Sequence, residues 1–307
     1  MKKIRLFDRR DSLSRKIFVV CNYIFLTTLA LICIAPFAHL LALSFSGDEF
    51  TSAGTVGVIP QGFTLDAYML LAGKPEFFKA FGISVARTIV GTLVALLVII
   101  LTAYPLSKTN KQFKGRTAIA WILAFTMWFG GGLAATYVLY DTLHLIDNFL
   151  VYIIPGACDV WFCIMLMNFF RKLPKELEEA ALIDGCNQLQ VLFRIFVPLS
   201  IPSIVTIVLF TAVGQWNSWF DGIIFMNDPA NYPLQSYLYT MIISSDPAKM
   251  VSAGGQLTPE QLEALKNIGS KNLQAAQIFL GMLPVTVIYP FVQKYFIKGI
   301  TLGGVKE

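Results

Sequence analysis

Residues 175–202 read KELEEAALIDGCNQLQVLFRIFVPLSIP, an acidic and alanine-rich stretch between two long apolar segments. Its glutamates fall within 176–179, near the start of the predicted helix, where the positive end of the helix dipole favours carboxylates. Pro174 suits the first helical turn, and Gly185 suits the left-handed position that ends a helix. The stretch therefore begins with a helix of about three turns that lies outside the apolar segments.

One face of this helix carries small side chains. Leu177, Ala180, Ala181 and Asp184 follow the i, i+3, i+4, i+7 spacing of a single face. Apart from Leu177 these side chains are short, so another protein can approach the helix backbone closely. This favours docking of the helix in a groove of a partner protein. The alternative is an amphipathic helix on a membrane surface, but such helices usually carry basic residues on their polar face. This helix is acidic.

The composition of the chain is that of an integral membrane protein. Of its 307 residues, 56% are hydrophobic and 14% are charged, and the mean hydropathy is +0.64. Because a bilayer requires about 20 apolar residues for each helix, the apolar segments predict an all-α protein with six membrane-spanning helices. These segments are residues 17–45, 81–106, 118–140, 149–170, 199–226 and 275–297.

The basic residues are distributed unevenly between the two sides of the predicted membrane. Eighteen of the 24 Lys and Arg residues lie on the side of the N-terminus. The positive-inside rule places this side, with both termini and the acidic helix, in the cytoplasm. The net charge of +5 is therefore a sign of topology, and we expect no nucleic-acid partner. We expect the first span to be a retained signal anchor, because its apolar run exceeds that of a cleaved signal peptide.

The predicted spans divide the chain into four parts. Residues 1–16 form a cytoplasmic N-terminal segment, and residues 17–79 contain the first span and an external loop. Residues 80–297 form the core domain, which includes the acidic loop at 171–198, and residues 298–307 form a cytoplasmic tail. We also expect short helices in the two external segments, one around 65–71 and one that begins at Thr258.

Glycine and proline are expected to interrupt three of the spans. Such breaks at membrane depth are tolerated only inside a helix bundle or beside a water-filled cavity, and in transporters they often mark the translocation path. The alternative is that glycine and proline are simply commoner in membrane helices. The interrupting residues are Gly130, Gly131, Gly132, Pro155, Gly156, Pro284 and Pro290.

Aromatic and amide side chains cluster in the fifth span, where residues 214–221 read GQWNSWFD. Polar groups at such depth usually face a cavity, and aromatic faces with amide hydrogen bonds suit sugar rings. The alternative is an aromatic belt at the membrane surface with helix-to-helix hydrogen bonding by Asn217. The candidates for a substrate path are Trp216, Asn217, Trp219, Asp221, Tyr137 and Trp128, with Asp159 and Trp161 as weaker ones.

Several motifs resemble one known family. Glu179-Ala180-Ala181, followed by Gly185, Ile195 and Pro198, resembles the EAA motif of ABC importer permeases, with Val197 in place of the usual leucine. Further motifs that carry the resemblance lie at 130–139, 145–157, 168–181, 214–220, 232–235 and in the C-terminal GITLGGVKE. Together they are similar to the carbohydrate-type permeases of the maltose-transporter class, and most of all to the lipoprotein/polysaccharide-type oligosaccharide permeases.

This resemblance implies the type I ABC importer permease fold with a cytoplasmic coupling helix. It implies partnership with a second permease in a heterodimer, two ATP-binding subunits and an extracellular or lipoprotein solute-binding protein, all serving oligosaccharide import across the cell membrane. The chain has no GxxxxGK[ST] phosphate loop, so ATP and Mg are expected on the partner ATPases, with no cofactor or enzymatic activity in this chain. The residues implied in ATPase docking are Glu179, Ala180, Ala181, Asp184, Gly185, Gly303, Gly304 and Lys306, although Glu307 stands where glycine is common.

Two other functions stay open. A peptide or small-solute ABC permease would share the docking helix, but it is not expected to show the GGVKE tail or the WNSWF cluster. A secondary transporter would need a group of intramembrane charges, for which Asp141, Asp159 and Asp221 are too dispersed. The five cysteines and two histidines show no metal-ligand spacing, so we expect no metal site.

Overall fold

The computed structural model describes residues 12–244 and 271–304. The described residues form helices, and the strand-like contact among them is an isolated β-bridge between Ser46 and Phe63. The chain divides into two compact units, one of residues 1–73 with 245–280 and one of residues 74–244 with 281–307.

The first unit contains α1 (Leu13–Ser44), α2 (Asp48–Ala53) and α3 (Asp66–Ala72). The Ser12 side chain caps the start of α1 by accepting a hydrogen bond from the Arg15 N–H. Helix α3 confirms the short helix expected around 65–71. The hydroxyl group of Tyr68 on α3 lies 2.8 Å from that of Ser44, which joins α3 to the end of α1.

The second unit is built around a long helix, α4 (Pro75–Ser107). The helices that follow are α5 (Arg116–Thr126), α6 (Gly132–Thr142), α7 (Val160–Phe170), α8 (Lys175–Ile183), α9 (Gln188–Val191), α10 (Val197–Leu199), α11 (Ile201–Asn217), α12 (Phe220–Phe225) and α13 (Leu234–Ser244). The last helix, α14 (Lys271–Gly304), begins in the first unit and continues into the second. A π-helical turn, Leu192–Phe196, joins α9 to α10.

The six predicted spans differ in their continuity. Among the described residues, three single helices are long and apolar enough to cross a bilayer: α1, α4 and the part of α14 from Lys271 to Tyr289. A fourth is a bent pair in which α11 follows residues 188–199 at an angle of 83°. The predicted spans at 118–140 and 149–170 contain the shorter apolar helices α5 and α7. The breaks in these two spans coincide with the glycines and prolines.

The helix breakers act as predicted in two spans and fail to act in the third. Residues 127–131, with Gly130 and Gly131, separate α5 from α6, and residues 153–159 separate a 3₁₀ turn at Phe149–Tyr152 from α7. The interruption predicted at Pro284 and Pro290 is wrong, because α14 continues through both prolines. Neighbouring groups can satisfy the one carbonyl that a proline frees in a membrane helix.

One face of α4 forms the centre of the second unit. Residues 87, 91, 95, 99 and 103 recur at every fourth position and are all buried, and α4 packs there against α7 and α11. Gly91, Ala95 and Ala103 are small, which lets the neighbouring helices approach closely, as is typical of helix interfaces in membranes. Ile99 of this face and Leu166 of α7 are both 0% exposed. The face therefore fixes α4 against α7 and α11.

Several predictions fall on residues outside the described ranges. Residues 1–11 of the N-terminal segment lie outside them, as do the helix expected at Thr258 and the docking residue Lys306. The two glycines of the tail that were expected in docking, Gly303 and Gly304, are the last two residues of α14.

We predict that Gly222→Ala destabilises the second unit. A β-carbon at position 222 would overlap Ser236 Oγ and would lie 2.8 Å from Pro233 Cδ, so α12 and the start of α13 would have to separate. Overpacking of this kind costs about 1–3 kcal/mol, and we expect a lower thermal unfolding midpoint in detergent. The matched control is Gly82→Ala on α4, where a β-carbon meets nothing within 4 Å. Equal midpoints for the two variants would contradict the close packing.

Candidate functional site

Helix α8 is the acidic helix predicted from the sequence, and its two ends differ in how closely they match the prediction. Gly185 follows the C-cap residue Asp184 and has a φ of +83°, which confirms the left-handed stop. Pro174 was expected in the first turn but is the N-cap residue, because its ψ of 128° is extended. A proline ring fixes φ and leaves ψ free to adopt this value.

The exposed surface of α8 differs from the predicted face at one position. Ala180 and Asp184 are exposed as expected, together with Glu179. Ala181 is only 7% exposed and packs into the hydrophobic core around α4, so its side chain does not lie on the outer surface. Ile183 is 86% exposed and was missed. We call the exposed residues Leu177, Ala180, Ile183 and Asp184 the docking face.

The inner side of α8 is attached to α4 by a buried ion pair. Lys108, the C-cap residue of α4, places its Nζ 2.7 Å from Glu178 Oε1, and the two side chains are 9% and 10% exposed. The same ammonium lies 4.0 Å from the ring centre of Tyr104 and 4.5 Å from that of Phe196. Burial lowers the pKa of Lys108, and the neighbouring carboxylate of Glu178 opposes that shift.

Further polar contacts converge on the same end of α4. The carbonyl oxygen of Leu106 accepts hydrogen bonds from Arg116 Nε at 2.7 Å and from Arg171 Nη2 at 3.1 Å. The hydroxyl of Tyr104 donates to Gln188 Oε1 at 2.7 Å. Because these partners belong to the start of α5, the end of α7 and the start of α9, the end of α4 is joined to the segments on either side of α8.

We predict that the Lys108–Glu178 pair is strongly coupled in a double-mutant cycle. Lys108→Met or Glu178→Leu alone leaves one charge buried without its partner, which costs about 3 kcal/mol or more in buried pairs. The double variant removes both charges and should unfold at a temperature closer to that of the wild type. Thermal unfolding of the four proteins in detergent measures this coupling. Additive losses in the double variant would contradict it.

A second candidate site surrounds Arg87, which is 2% exposed. Its two terminal nitrogens donate to the two carboxylate oxygens of Asp221, one of them at 3.1 Å. Gln215 Oε1 accepts from Nε at 3.3 Å and from Nη2 at 3.1 Å, and the Ser218 carbonyl accepts from Nη1 at 3.4 Å. The guanidinium also lies 4.6 Å from the ring centre of Tyr152. Each nitrogen of the guanidinium therefore has an acceptor.

The position of Arg87 explains this arrangement. It lies four residues from the midpoint of α4, or about 6 Å along the helix axis, and a charge at such depth needs partners. The fifth span is broken between α11 and α12 at residues 218–219, which frees backbone carbonyls that need partners within the helix bundle or in a hydrated cavity. Arg87 satisfies one of them, the carbonyl of Ser218.

Two glycines make room for Gln215. A β-carbon at Gly91 would lie 2.8 Å from Gln215 Nε2, and a β-carbon at Gly156 would lie 3.3 Å from the same atom. Gly91 belongs to the small-residue face of α4, and Gly156 to the break before α7. The break predicted at Pro155 and Gly156 therefore leaves room for the side chain of Gln215, a partner of Arg87.

A cavity of about 280 Å³ opens beside this cluster, and we call it the Arg87 cavity. Its polar and aromatic lining includes Arg87, Tyr140, Tyr152, Asp159, Thr211, Ser218 and Asp221. Two of the predicted substrate-path residues, Asp221 and the weaker candidate Asp159, line it. Both carboxylates have structural contacts as well, because Asp221 pairs with Arg87 and Asp159 Oδ1 accepts a hydrogen bond from the Phe162 N–H.

The other predicted substrate-path residues do not line the Arg87 cavity. Trp216 is 6% exposed, and its Nε1 donates to the Gly281 carbonyl at 3.0 Å. Trp219 stacks on Tyr239 with ring centres 4.1 Å apart. The remaining residues are exposed at other positions: Asn217 at the end of α11, Tyr137 beside Phe225, Trp128 after α5, and Trp161 on α7.

We predict that Trp216 stabilises the fold and does not bind substrate. Trp216→Phe removes the donor to the Gly281 carbonyl and should cost about 1 kcal/mol, with a lower thermal unfolding midpoint and unchanged substrate affinity. Trp161→Phe is the matched control, because Trp161 is 64% exposed and should tolerate the change. A Trp216→Phe variant of normal stability but weakened substrate affinity would place the indole on the substrate path.

Sequence reasoning missed Arg87, Lys108 and Glu178. Arg87 was identifiable, because it is the one charged residue in the predicted span 81–106 and stands four positions before Gly91 on the same helical face. Glu178 was interpreted only as a partner of the helix dipole, although it stands three positions before Ala181 and is buried with it. Lys108 carried no signal beyond the positive-inside pattern.

Comparison with known proteins places the chain in a family. Residues 4–302 match the family described as the binding-protein-dependent transport system inner membrane component. The chain belongs to this family. It is 38% identical over 293 residues to Protein LplC of Bacillus subtilis (strain 168), a match that covers 95% of each chain. The family and its long apolar helices make the chain a multi-pass membrane protein.

Two further similarities agree with this membership. The polygalacturonan/rhamnogalacturonan transport system permease protein YtcP of Bacillus subtilis (strain 168) is 37% identical, over 96% of this chain and 100% of its own length. A chain from the crystal structure of a bacterial ABC transporter involved in the import of the acidic polysaccharide alginate superposes with a TM-score of 0.82 at 30% identity, over 94% of this chain and 100% of that one. The predictions of a permease fold and of a transport subunit are confirmed.

Proposed function

We propose that this chain forms half of a heterodimeric channel in an ATP-driven, binding-protein-dependent importer of oligosaccharides. It works with a second permease, two ATP-binding subunits that hold ATP and Mg, and an extracellular or lipoprotein solute-binding protein. Both termini and α8 lie in the cytoplasm of this arrangement, in agreement with the positive-inside distribution of basic residues. The names of YtcP and of the alginate transporter support saccharides as the cargo.

The docking face of α8 is the observation that carries the partnership with an ATPase. Ala180 and Asp184 leave the backbone open, and Leu177 and Ile183 are apolar side chains that are 42% and 86% exposed. Exposed apolar residues beside small ones suit a helix that lies in a groove of a partner. The inner side of the same helix is held by the Lys108–Glu178 pair, so a force on α8 reaches α4 directly.

Transport in this arrangement is a rigid-body movement. Closure of the two ATPases displaces α8, and the ion pair transmits the displacement to α4, whose buried face packs against α7 and α11. Packed helices move as discrete bodies because interiors of native density resist gradual deformation. The movement alternates the access of the cavity region between the two sides of the membrane. No covalent chemistry is assigned to this chain.

We predict that Ala180→Arg strongly reduces co-purification with the ATPase. An arginine at the centre of the docking face would bring an unpaired charge into the interface, and recovery of the ATPase should fall at least about tenfold, equivalent to about 1.4 kcal/mol. The matched control is Gln112→Arg, which adds the same side chain to an exposed position of the neighbouring loop. Affinity purification of tagged permease, followed by immunoblotting for the ATPase, measures the recovery.

The activity of the purified assembly completes this test. The wild-type assembly should hydrolyse ATP faster when a sugar-loaded binding protein is added, and the Gln112→Arg assembly should respond equally. If Ala180→Arg retains the ATPase at wild-type levels, α8 does not dock it. If no ATPase is recovered with the wild type under any condition, the proposed importer itself is excluded.

A further inference from the structure

A loop of the first unit folds back along the end of α1 that lies opposite the N-terminus. His39 of α1 donates a hydrogen bond from its Nδ1 to the carbonyl oxygen of Gly57 at 2.8 Å. Because α1 continues for five more residues to Ser44, this bond places Gly57 about 8 Å before the end of the helix. The residues that follow Gly57 therefore begin beside α1 and not beyond its end.

The uncharged length of α1 sets the depth of Gly57 in the membrane. Residues 17–47 contain no charged residue, so the hydrocarbon part of the span begins after Lys16. About 20 residues cross the hydrocarbon core, which puts its outer boundary near Pro36. His39 stands three residues, or about 4.5 Å, beyond this boundary, within a headgroup layer that is roughly 5–8 Å thick. A span that began further along the chain would place Gly57 deeper still.

The three residues after Gly57 are apolar and exposed, and we call Val58, Ile59 and Pro60 the apolar tip. Val58 is 59% exposed and Ile59 is 76% exposed. The tip belongs to a run of the chain without charge, residues 50–65. Exposed groups of apolar side chains mark contact with lipid or with another protein. Three residues are far fewer than the roughly 20–30 that each side of a stable protein interface contributes, so lipid is the better match.

Hydrogen bonds hold both arms of this loop at the end of α1. The Gly47 N–H donates to the Gln61 carbonyl at 3.1 Å, and the Thr64 N–H donates to the carbonyl of Phe45, the C-cap residue of α1, at 3.0 Å. Val56, two residues before the tip, is buried. A loop whose ends are close together and whose own side chains pack inside it is compact. The apolar tip is therefore held in a fixed position beside α1.

We propose that the apolar tip inserts into the headgroup layer of the membrane that α1 crosses, and that it anchors the outer end of this helix. The proposal is independent of the proposed import function, because it concerns only the contact of the first unit with lipid. Residues 17–45 form an apolar stretch of about 44 Å, longer than a hydrocarbon core of about 30 Å. A stretch of excess length tilts in the bilayer, and anchors at the interface fix its tilt. The apolar tip supplies such an anchor.

A fluorescent label at position 59 tests the contact with lipid. The full-length chain carries Ile59→Cys in a background whose five native cysteines are replaced by alanine, and the thiol is labelled with bimane in phosphatidylcholine nanodiscs. The matched control is Phe63→Cys, because Phe63 is 70% exposed in the same loop but stacks on Phe45, with ring centres 5.6 Å apart. Phe45 is six residues, or about 9 Å, beyond His39 along α1.

The two labels should respond differently to quenchers in lipid and in water. Lipid with a nitroxide on its headgroup should quench the label at position 59 at least about threefold more than the label at position 63, and aqueous iodide should show the reverse order, because the headgroup layer is only roughly 5–8 Å thick. Quenching of position 59 by iodide alone would show that the tip faces water and would overturn the proposal. Shielding of position 59 from both quenchers would show that another chain covers the tip and would also overturn it.

A second label measures the anchoring of α1. Phe37→Cys, at an exposed position near the outer boundary, is labelled in the same background. Val58→Ser with Ile59→Ser should change the ratio of its quenching by headgroup and mid-chain nitroxide lipids at least about twofold, because α1 loses its anchor. Val58→Leu with Ile59→Leu should keep the wild-type ratio. The matched control is Met69→Ser with Leu70→Ser, two exposed residues of α3, which contacts the end of α1. An unchanged ratio in the serine variant of the tip, or an equal change in the control, would overturn the anchoring.

Discussion

Polar groups within the bilayer need partners inside the helix bundle or in a hydrated cavity, and this constraint accounts for where Arg87 and its partners lie in the second unit. The break between α11 and α12 frees backbone carbonyls at membrane depth. Arg87 offsets that cost by binding one of them together with Asp221 and Gln215. The small residues at 91 and 156 are required in turn, because a side chain at either position would press on Gln215.

Helix α4 joins the two candidate sites through one buried face. Arg87 and its partners lie near the middle of the helix, and Lys108 with Glu178 lies just beyond its end, about 31 Å away along the axis. Between them the face is formed by small and branched apolar residues in contact with α7 and α11. Such a closely packed face resists side-chain rearrangement, so we expect a displacement of α8 to move whole helices.

Local features of the fold could be predicted from the sequence, and features that depend on orientation could not. The helix at α8, its stop at Gly185 and the breaks around Gly130 and Pro155 each follow from residues that are adjacent in the chain. The interruption expected at Pro284 did not occur, because a proline in a membrane helix frees only one carbonyl and neighbouring groups can satisfy it. Composition alone cannot distinguish that case from a true break.

The candidate site shows why residue type is a weaker guide than position on a helical face. Trp216 and Asp221 belong to one short motif, yet the indole is buried against Gly281 whereas the carboxylate lines a cavity. Arg87 belongs to no motif, and its role follows only from its place on the small-residue face of α4. An exposed carboxylate such as Asp159 at membrane depth also requires a hydrated or protein-covered neighbour. The open side of the Arg87 cavity is therefore covered by water or by protein within the membrane.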